Sequence, residues 1–160
     1  MTYYFNNVYI KDKYSMLASD KFSPIVLNDV DYFKNDYYQG QKSVELAESK
    51  FQDLVIDGLL EKTKITNDKI DILINGDLQN QILASTLAAN NYNIPTLGIY
   101  SACASFIEGM IIGSMFINGR NNSNVLSLRA IASTYSPLEK LDQMQISSFS
   151  IFNKNGPSVT

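Results

Sequence analysis

Residues 98–109 read GIYSACASFIEG and contain the one cysteine of the 160-residue chain. Residues 96–100 form a short apolar run after the turn signal at Pro95, and this pattern predicts a buried strand. The segment from about residue 103 to 118 is apolar nearly all round and predicts a helix. Cys103 therefore lies at the start of a helix, where unpaired backbone N–H groups and the helix dipole stabilise a thiolate.

An amphipathic helix is predicted over residues 42–62, because apolar side chains recur there at helical spacing. Ser43 is a suitable N-cap, and Glu45 lies in the first turn, where the helix dipole favours a negative charge. The polar side chains of this helix, Glu48 and Gln52 included, are expected to form its solvated face.

The predicted elements alternate between strands and helices, which indicates an α/β fold with a mainly parallel sheet. These elements are a strand at 8–10, the helix at 42–62, a strand at 70–74, a helix at 79–91 that buries Leu83, the strand at 96–100, the helix at 103–118, a strand at 125–132, a short helix at 138–144 and an edge strand at 146–152. All 160 residues are expected to form one domain, with residues 141–160 as an atypical tail.

The composition excludes several classes of function. The net charge is only −3 and the basic residues are not clustered, so neither nucleic acid nor an anionic membrane is an expected partner. The chain has no histidine, which removes the commonest general base and the commonest metal ligand, so we expect neither a metal nor another cofactor. The apolar segment 102–117 is shorter than the about 20 residues that span a bilayer. We therefore expect a buried core helix there.

The predicted helix at 103–118 has no polar face. Burying one large apolar side chain stabilises a protein by about 1.5–3 kcal/mol, so leaving several of them exposed would cost much of a domain's net stability. The sequence therefore predicts a partner for this helix, and we expect the isolated chain to self-associate through it.

Six residues are candidates for a ligand site, and they are Cys103, Asp77, Asn80, Ser101, Ser105 and Ser133. Asp77 follows a predicted strand, at the end of the sheet where α/β folds bind ligands, but capping of the next helix is the favoured interpretation of this residue. The three serines are able to donate hydrogen bonds to a carboxylate ligand. Cys103 either lines the pocket or packs in the core as a small apolar residue.

The chain resembles the N-terminal half of the stage V sporulation protein AD family of spore-forming bacteria. The resemblance extends over about residues 3–140 and is strongest where a Gly-Asp-Leu-x-Asn-Gln segment precedes an Ala-Cys pair by some twenty residues. The segments that carry it are 40–48, 68–71, 76–81, 94–95, 100–105 with Glu108, and 118–119.

This resemblance implies a thiolase-like half-fold in which the helix at 103–118 is buried against a second, similar half. It further implies a non-enzymatic sporulation protein that binds dipicolinic acid for uptake into spores and release from them, alongside sibling spore-membrane proteins. The implied location is cytoplasmic or peripheral at the spore inner membrane. The partner of the helix would then be either a second copy or a missing C-terminal half.

An acyltransferase is the alternative function. Thiolases and ketoacyl synthases use a cysteine at this junction as the acyl-accepting nucleophile, which would be Cys103 here, and they assist it with histidine. Thr134 stands where the resembled family has a histidine, so catalysis is not expected. Because the family is about twice as long, the chain is expected to be truncated or partial, and an inactive fragment is a further alternative.

Overall fold

The computed structural model of the chain describes residues 2, 4–5, 8–18, 24–77, 82–101, 104–119, 124–130 and 146–153. For Val26 and for residues 124–130 and 146–153 only the backbone is described. The helices and strands are, in chain order, β1 Tyr9–Leu17, α1 Pro24–Asn28, β2 Tyr32–Phe33, α2 Val44–Thr63, a 3-10 turn Asn67–Lys69, β3 Ile72–Gly76, α3 Leu83–Ala89, β4 Thr96–Gly98, α4 Ser105–Gly119, β5 Asn124–Ala130 and β6 Ile146–Asn153.

The described strands form one sheet in the order β2-β1-β6-β5-β3-β4. Strand β3 pairs in parallel with both β4 and β5, and β1 pairs in parallel with β2. Strand β6 runs antiparallel to both β1 and β5. The predicted α/β class is thus confirmed, with a mixed sheet that is parallel in its β5-β3-β4 half and in the β1-β2 pair and antiparallel on both sides of β6.

Two strand predictions are wrong, one in its place within the sheet and the other in its length. The segment predicted as an edge strand at 146–152 is β6, which lies inside the sheet between β1 and β5. The edge strands are instead β2 and β4, and the residues of both are exposed. The strand predicted at 8–10 extends to Leu17, since β6 pairs with it along its whole length.

Helix α2 confirms the amphipathic helix predicted at 42–62. The Ser43 hydroxyl caps its first turn by accepting the Leu46 backbone N–H at 3.3 Å. The helix ends where Lys64 adopts a left-handed conformation, with φ of 57°, and donates its N–H to the Glu61 carbonyl.

The polar face predicted for α2 is partly wrong, because Glu48 and Gln52 are buried at 1% and 0% exposure. Helix α3 covers this side of α2, and the Gln52 side chain donates to the Ser85 hydroxyl of α3 at 3.2 Å. Helix α3 itself turns small residues inward and leaves Leu83 40% exposed, contrary to the predicted buried position of Leu83.

Two apolar clusters lie on opposite faces of the sheet, as the alternation of side chains along β3 requires. Leu73 packs with Phe51 and other α2 residues on one face. Ile74, the next residue, packs with Ile117 of α4 on the other face. The sheet therefore lies between two layers of helices. Helices α2 and α3 cover one face, and α4 covers the other.

Helix α4 confirms the helix predicted at 103–118, but only its sheet side is buried. Its outward residues Ile107, Ile111 and Met115 are 56%, 44% and 46% exposed. The short helix predicted at 138–144 and the chain after Asn153 lie outside the described residues.

Candidate functional site

The candidate site lies where β3 and β4 leave the sheet side by side. These strands are parallel, with Asn75 opposite Gly98, so the residues that follow them emerge at the same edge. The Ile99 backbone N–H donates to the Asn75 carbonyl at 2.9 Å and carries the pairing one residue further. Gly76 permits this approach, since a β-carbon there would lie 2.6 Å from the Ile99 carbonyl oxygen.

Asp77, the first residue after β3, is almost fully buried at 1% exposure. Its Oδ1 accepts the Ile82 backbone N–H at 3.1 Å, and its Oδ2 accepts the Ser85 N–H at 2.9 Å and the Ser85 hydroxyl at 3.0 Å. Both carboxylate oxygens are thus used to fix the first turn of α3. Of the two alternatives for Asp77, the structure shows helix capping, while its contact with a ligand stays a prediction.

Ser85 is the centre of a buried polar network that the sequence analysis missed. Besides its two bonds to Asp77, its hydroxyl accepts the Gln52 amide, and its carbonyl accepts the Asn75 amide at 2.8 Å. The Asn75 Nδ2 also lies 3.5 Å from Gln52 Oε1, a weak hydrogen bond. The network ties α2, β3 and α3 together behind Asp77. Asn75 within an apolar strand was the one visible sign of it.

The second loop of the site begins at Ser101, after β4. The Ser101 hydroxyl donates to the Glu108 carboxylate, and the Ser105 hydroxyl accepts the Ser101 backbone N–H at 3.1 Å. The Ala104 N–H donates to the Ser101 carbonyl at 2.9 Å and closes the turn. Ser101 and Ser105 are therefore in contact and hold both ends of the segment that contains Cys103.

The structure places three of the six predicted site residues. Asp77 fixes the loop after β3, whereas Ser101 and Ser105 fix the loop after β4. The other three predicted residues, Cys103, Asn80 and Ser133, lie outside the described residues. These three side chains stabilise the local structure, because each of them forms a hydrogen bond to another part of the protein.

Two groups at the contact between α2 and the end of α3 have raised pKa values. Burial raises the pKa of Asp53, although Asn91 Nδ2 donates to both of its oxygens at 3.0 and 3.1 Å. Burial also raises the pKa of Tyr92, whose hydroxyl donates to Asp57 Oδ1 at 2.8 Å. These contacts join α2 to the end of α3.

Neither a metal centre nor a membrane span is found in the described part of the chain. It contains no group of three or more histidine, cysteine, aspartate or glutamate side chains arranged to hold a metal ion. None of its helices combines the length and the apolar character that crossing a bilayer requires.

Solved structures similar to this chain share the thiolase-like fold. They include PksG, an HMG-CoA synthase from Bacillus subtilis, which is 16% identical with a TM-score of 0.56 over 68% of this chain and 29% of that one. A variant of OleA from Xanthomonas campestris is 16% identical, with a TM-score of 0.61 over 93% of this chain and 58% of its own. At these identities the likeness shows the fold and nothing more, and it confirms the predicted fold class.

The sequence comparisons are more specific. A curated relative, stage V sporulation protein AD of Bacillus subtilis (strain 168), is 31% identical over 102 residues, or 64% of this chain and 29% of the relative. The match thus covers less than a third of that relative's length. The sequence model of the same family, described as stage V sporulation protein AD, matches residues 2–145. The chain belongs to the stage V sporulation protein AD family.

Proposed function

We propose that this chain acts in sporulation as a binding protein, that its ligand is dipicolinic acid, and that it does not transfer acyl groups. Membership of the stage V sporulation protein AD family carries the sporulation role. The absence of histidine from all 160 residues supports binding over catalysis, because acyl transfer to a cysteine needs a base that deprotonates it.

Dipicolinic acid is a planar pyridine with two carboxylates, so its recognition needs hydrogen-bond donors and positive potential. Helix α4 begins at Ser105, directly after the loop that contains Cys103, and a helix N-terminus favours an anion. The proposed contacts are Cys103, Asn80 and Ser133, which are neutral side chains.

Asp77, Ser101 and Ser105 have a different part in this proposal. The Asp77 carboxylate would repel a dicarboxylate, and both of its oxygens already accept protein hydrogen bonds. Its part is therefore to hold the loop that contains Asn80. Ser101 and Ser105 likewise hold the loop that contains Cys103.

Isothermal titration of the full chain with dipicolinate tests this proposal. We expect saturable heat at up to millimolar ligand, with isophthalate, which lacks the ring nitrogen, as the ligand control. Cys103→Ala and Asn80→Ala should weaken binding about tenfold each, as expected when one hydrogen-bond or packing contact is removed. Asn90→Ala, at the opposite end of α3, should bind like the wild type. No heat from the folded wild-type chain at millimolar dipicolinate would contradict the proposal.

The location and the protein partners are part of the same proposal. We infer that the chain acts as a peripheral protein at the spore inner membrane, with sibling sporulation proteins, and the finding that no described helix is fit to cross a bilayer is compatible with this. Fractionation of spores should recover it with the inner membrane and release it at high salt. Recovery only in the soluble fraction at low salt would contradict a peripheral location.

A further inference from the structure

Ile82, the residue before α3, has a backbone conformation that its side chain disfavours. Its φ is 64° and its ψ is 21°, which lie in the left-handed region. Residues branched at the β-carbon rarely adopt this conformation, because the β-carbon comes too close to the following carbonyl oxygen, and glycine or asparagine is the usual residue there. An isoleucine at this position costs stability, which indicates that its side chain makes a contact that glycine could not make.

That contact is with strand β4. The Cδ1 of Ile82 lies so close to Gly98, the last residue of β4, that a β-carbon on Gly98 would be 2.9 Å from it. Glycine is unfavourable in strands and often marks a place where another part of the protein approaches closely. Positions 82 and 98 thus each hold a residue that the local backbone disfavours, and the contact between them explains both.

Hydrogen bonds hold the backbone of Ile82 on both sides. Its N–H donates to Asp77 Oδ1 at 3.1 Å, and its carbonyl accepts the Thr86 hydroxyl at 2.8 Å. Asp77 is itself buried directly after β3. The point from which the Ile82 side chain reaches Gly98 is therefore fixed relative to the end of β3 and to the first turn of α3.

The contact lies between the two loops of the candidate site. Ile82 ends the segment that follows Asp77 and contains Asn80, and Gly98 precedes the turn at Ser101 by three residues. We propose that Ile82 is a positioning residue that couples these loops, so that a displacement of one is transmitted to the other through the contact of Ile82 with Gly98. The coupling rests on the proposed function only in assigning both loops to one ligand site.

Alkylation of folded protein by iodoacetamide tests the coupling without any ligand, because Cys103 is the one cysteine of the chain and belongs to the second loop. Ile82→Val removes Cδ1 alone, and Ile82→Gly removes the backbone strain as well. Both variants should be alkylated about three- to tenfold faster than the wild type, since the second loop loses the side chain that packs at its start. Leu83→Ala is the matched control, because the neighbouring Leu83 is 40% exposed, and it should react at the wild-type rate.

Thermal unfolding separates positioning from a general loss of stability. Ile82→Gly should unfold within a few degrees of the wild type, because relief of the left-handed strain offsets the lost contact. Faster alkylation at nearly unchanged stability is the result that a merely structural role would not give. If both Ile82 variants reacted at the rate of Leu83→Ala, the coupling would be overturned.

Titration with dipicolinate distinguishes failure of the coupling from failure of the proposed function. Ile82→Val should bind dipicolinate more weakly than the wild type, whereas Leu83→Ala should bind it equally well. Faster alkylation of both Ile82 variants, together with no heat from the wild type, would support the coupling and contradict the proposed ligand alone.

Discussion

The ring of Tyr14 on β1 lies directly against Gly58 of α2, so closely that a β-carbon on Gly58 would be 2.3 Å from the ring's Cζ. Gly58 sits in the interior of a 20-residue helix, where glycine is normally unfavourable by about 1 kcal/mol relative to alanine. The close contact explains why position 58 is a glycine. A side chain there would prevent α2 from packing this closely against the Tyr14 ring.

Gly58→Ala is expected to destabilise the chain by about 2 kcal/mol, despite the better helix propensity of alanine, since the added methyl overpacks the contact. Urea unfolding measures the change. A compensating Tyr14→Leu substitution in the same chain should recover part of the loss, as expected for residues in direct contact.

Gly119→Ala is the control for Gly58→Ala, since nothing lies within 4 Å of a β-carbon at Gly119. We expect it to change the free energy of unfolding by less than about 0.5 kcal/mol. If both substitutions lowered the free energy of unfolding equally, the contact with Tyr14 would not be the reason for the glycine at position 58.

Ser85→Ala is expected to destabilise the chain by about 1–3 kcal/mol, because it leaves Gln52 Nε2 without the hydroxyl it binds and removes one donor to buried Asp77. Thermal unfolding measures the change. Thr86→Ala is the neighbouring control, since the Thr86 hydroxyl binds only the Ile82 carbonyl in an exposed position. If Ser85→Ala lost no more stability than Thr86→Ala, the hydrogen bonds of Ser85 would not stabilise the fold as we predict.

The loop before β2 is tied to α2 through an ion pair. Lys62 Nζ lies 2.8 Å from Asp31 Oδ1 and donates to the Lys13 carbonyl at 2.9 Å. Burial raises the pKa of Asp31, but hydrogen bonds from Lys62 and from the Ser15 backbone outweigh it and hold this pKa below the ordinary value. A carboxylate with a lowered folded-state pKa stabilises the fold above its unfolded-state pKa, and this stabilisation is lost as pH falls through the folded-state pKa.

Asp31→Asn should therefore be less stable than the wild type at about pH 7, and the difference should shrink below about pH 4. Urea unfolding at a series of pH values measures this. Asp29→Asn, two residues away and exposed, is the control and should leave the stability at about pH 7 nearly unchanged. A stability difference that stays constant from neutral to acid pH would assign the effect of Asp31→Asn to something other than its ion pair.

Local sequence was enough to predict α2, β3, α3, α4 and β5, because their periodicity and caps, such as Ser43, are short-range features. It could not place β6, since a strand pattern does not say which strands lie beside it. The ladder that joins Tyr9 to Asn153 spans nearly the whole chain. Most of β1 was missed as well. The charged residues Lys11, Asp12 and Lys13 interrupt the apolar alternation that indicates a strand, although β6 pairs with this segment.

The sequence predicted which residues belong to the candidate site but not how they interact, and ligand binding there stays a prediction. Asp77 was predicted to follow a strand, and it is the first residue after β3. The network of Gln52, Asn75 and Ser85 was missed, because these residues are far apart in sequence and meet only when α3 packs on α2. The capping role of Asp77 was one of two alternatives, and the bonds to Ile82 and Ser85 show this role, while contact with a ligand stays a prediction.

The proposal that this chain does not transfer acyl groups is tested most directly by the intact mass of the full chain after incubation with acetyl-coenzyme A at neutral pH. Because the chain contains no histidine to deprotonate Cys103, we predict that its mass stays unchanged over hours. Rapid addition of one acetyl group to the wild type, and none to Cys103→Ala, would contradict this claim.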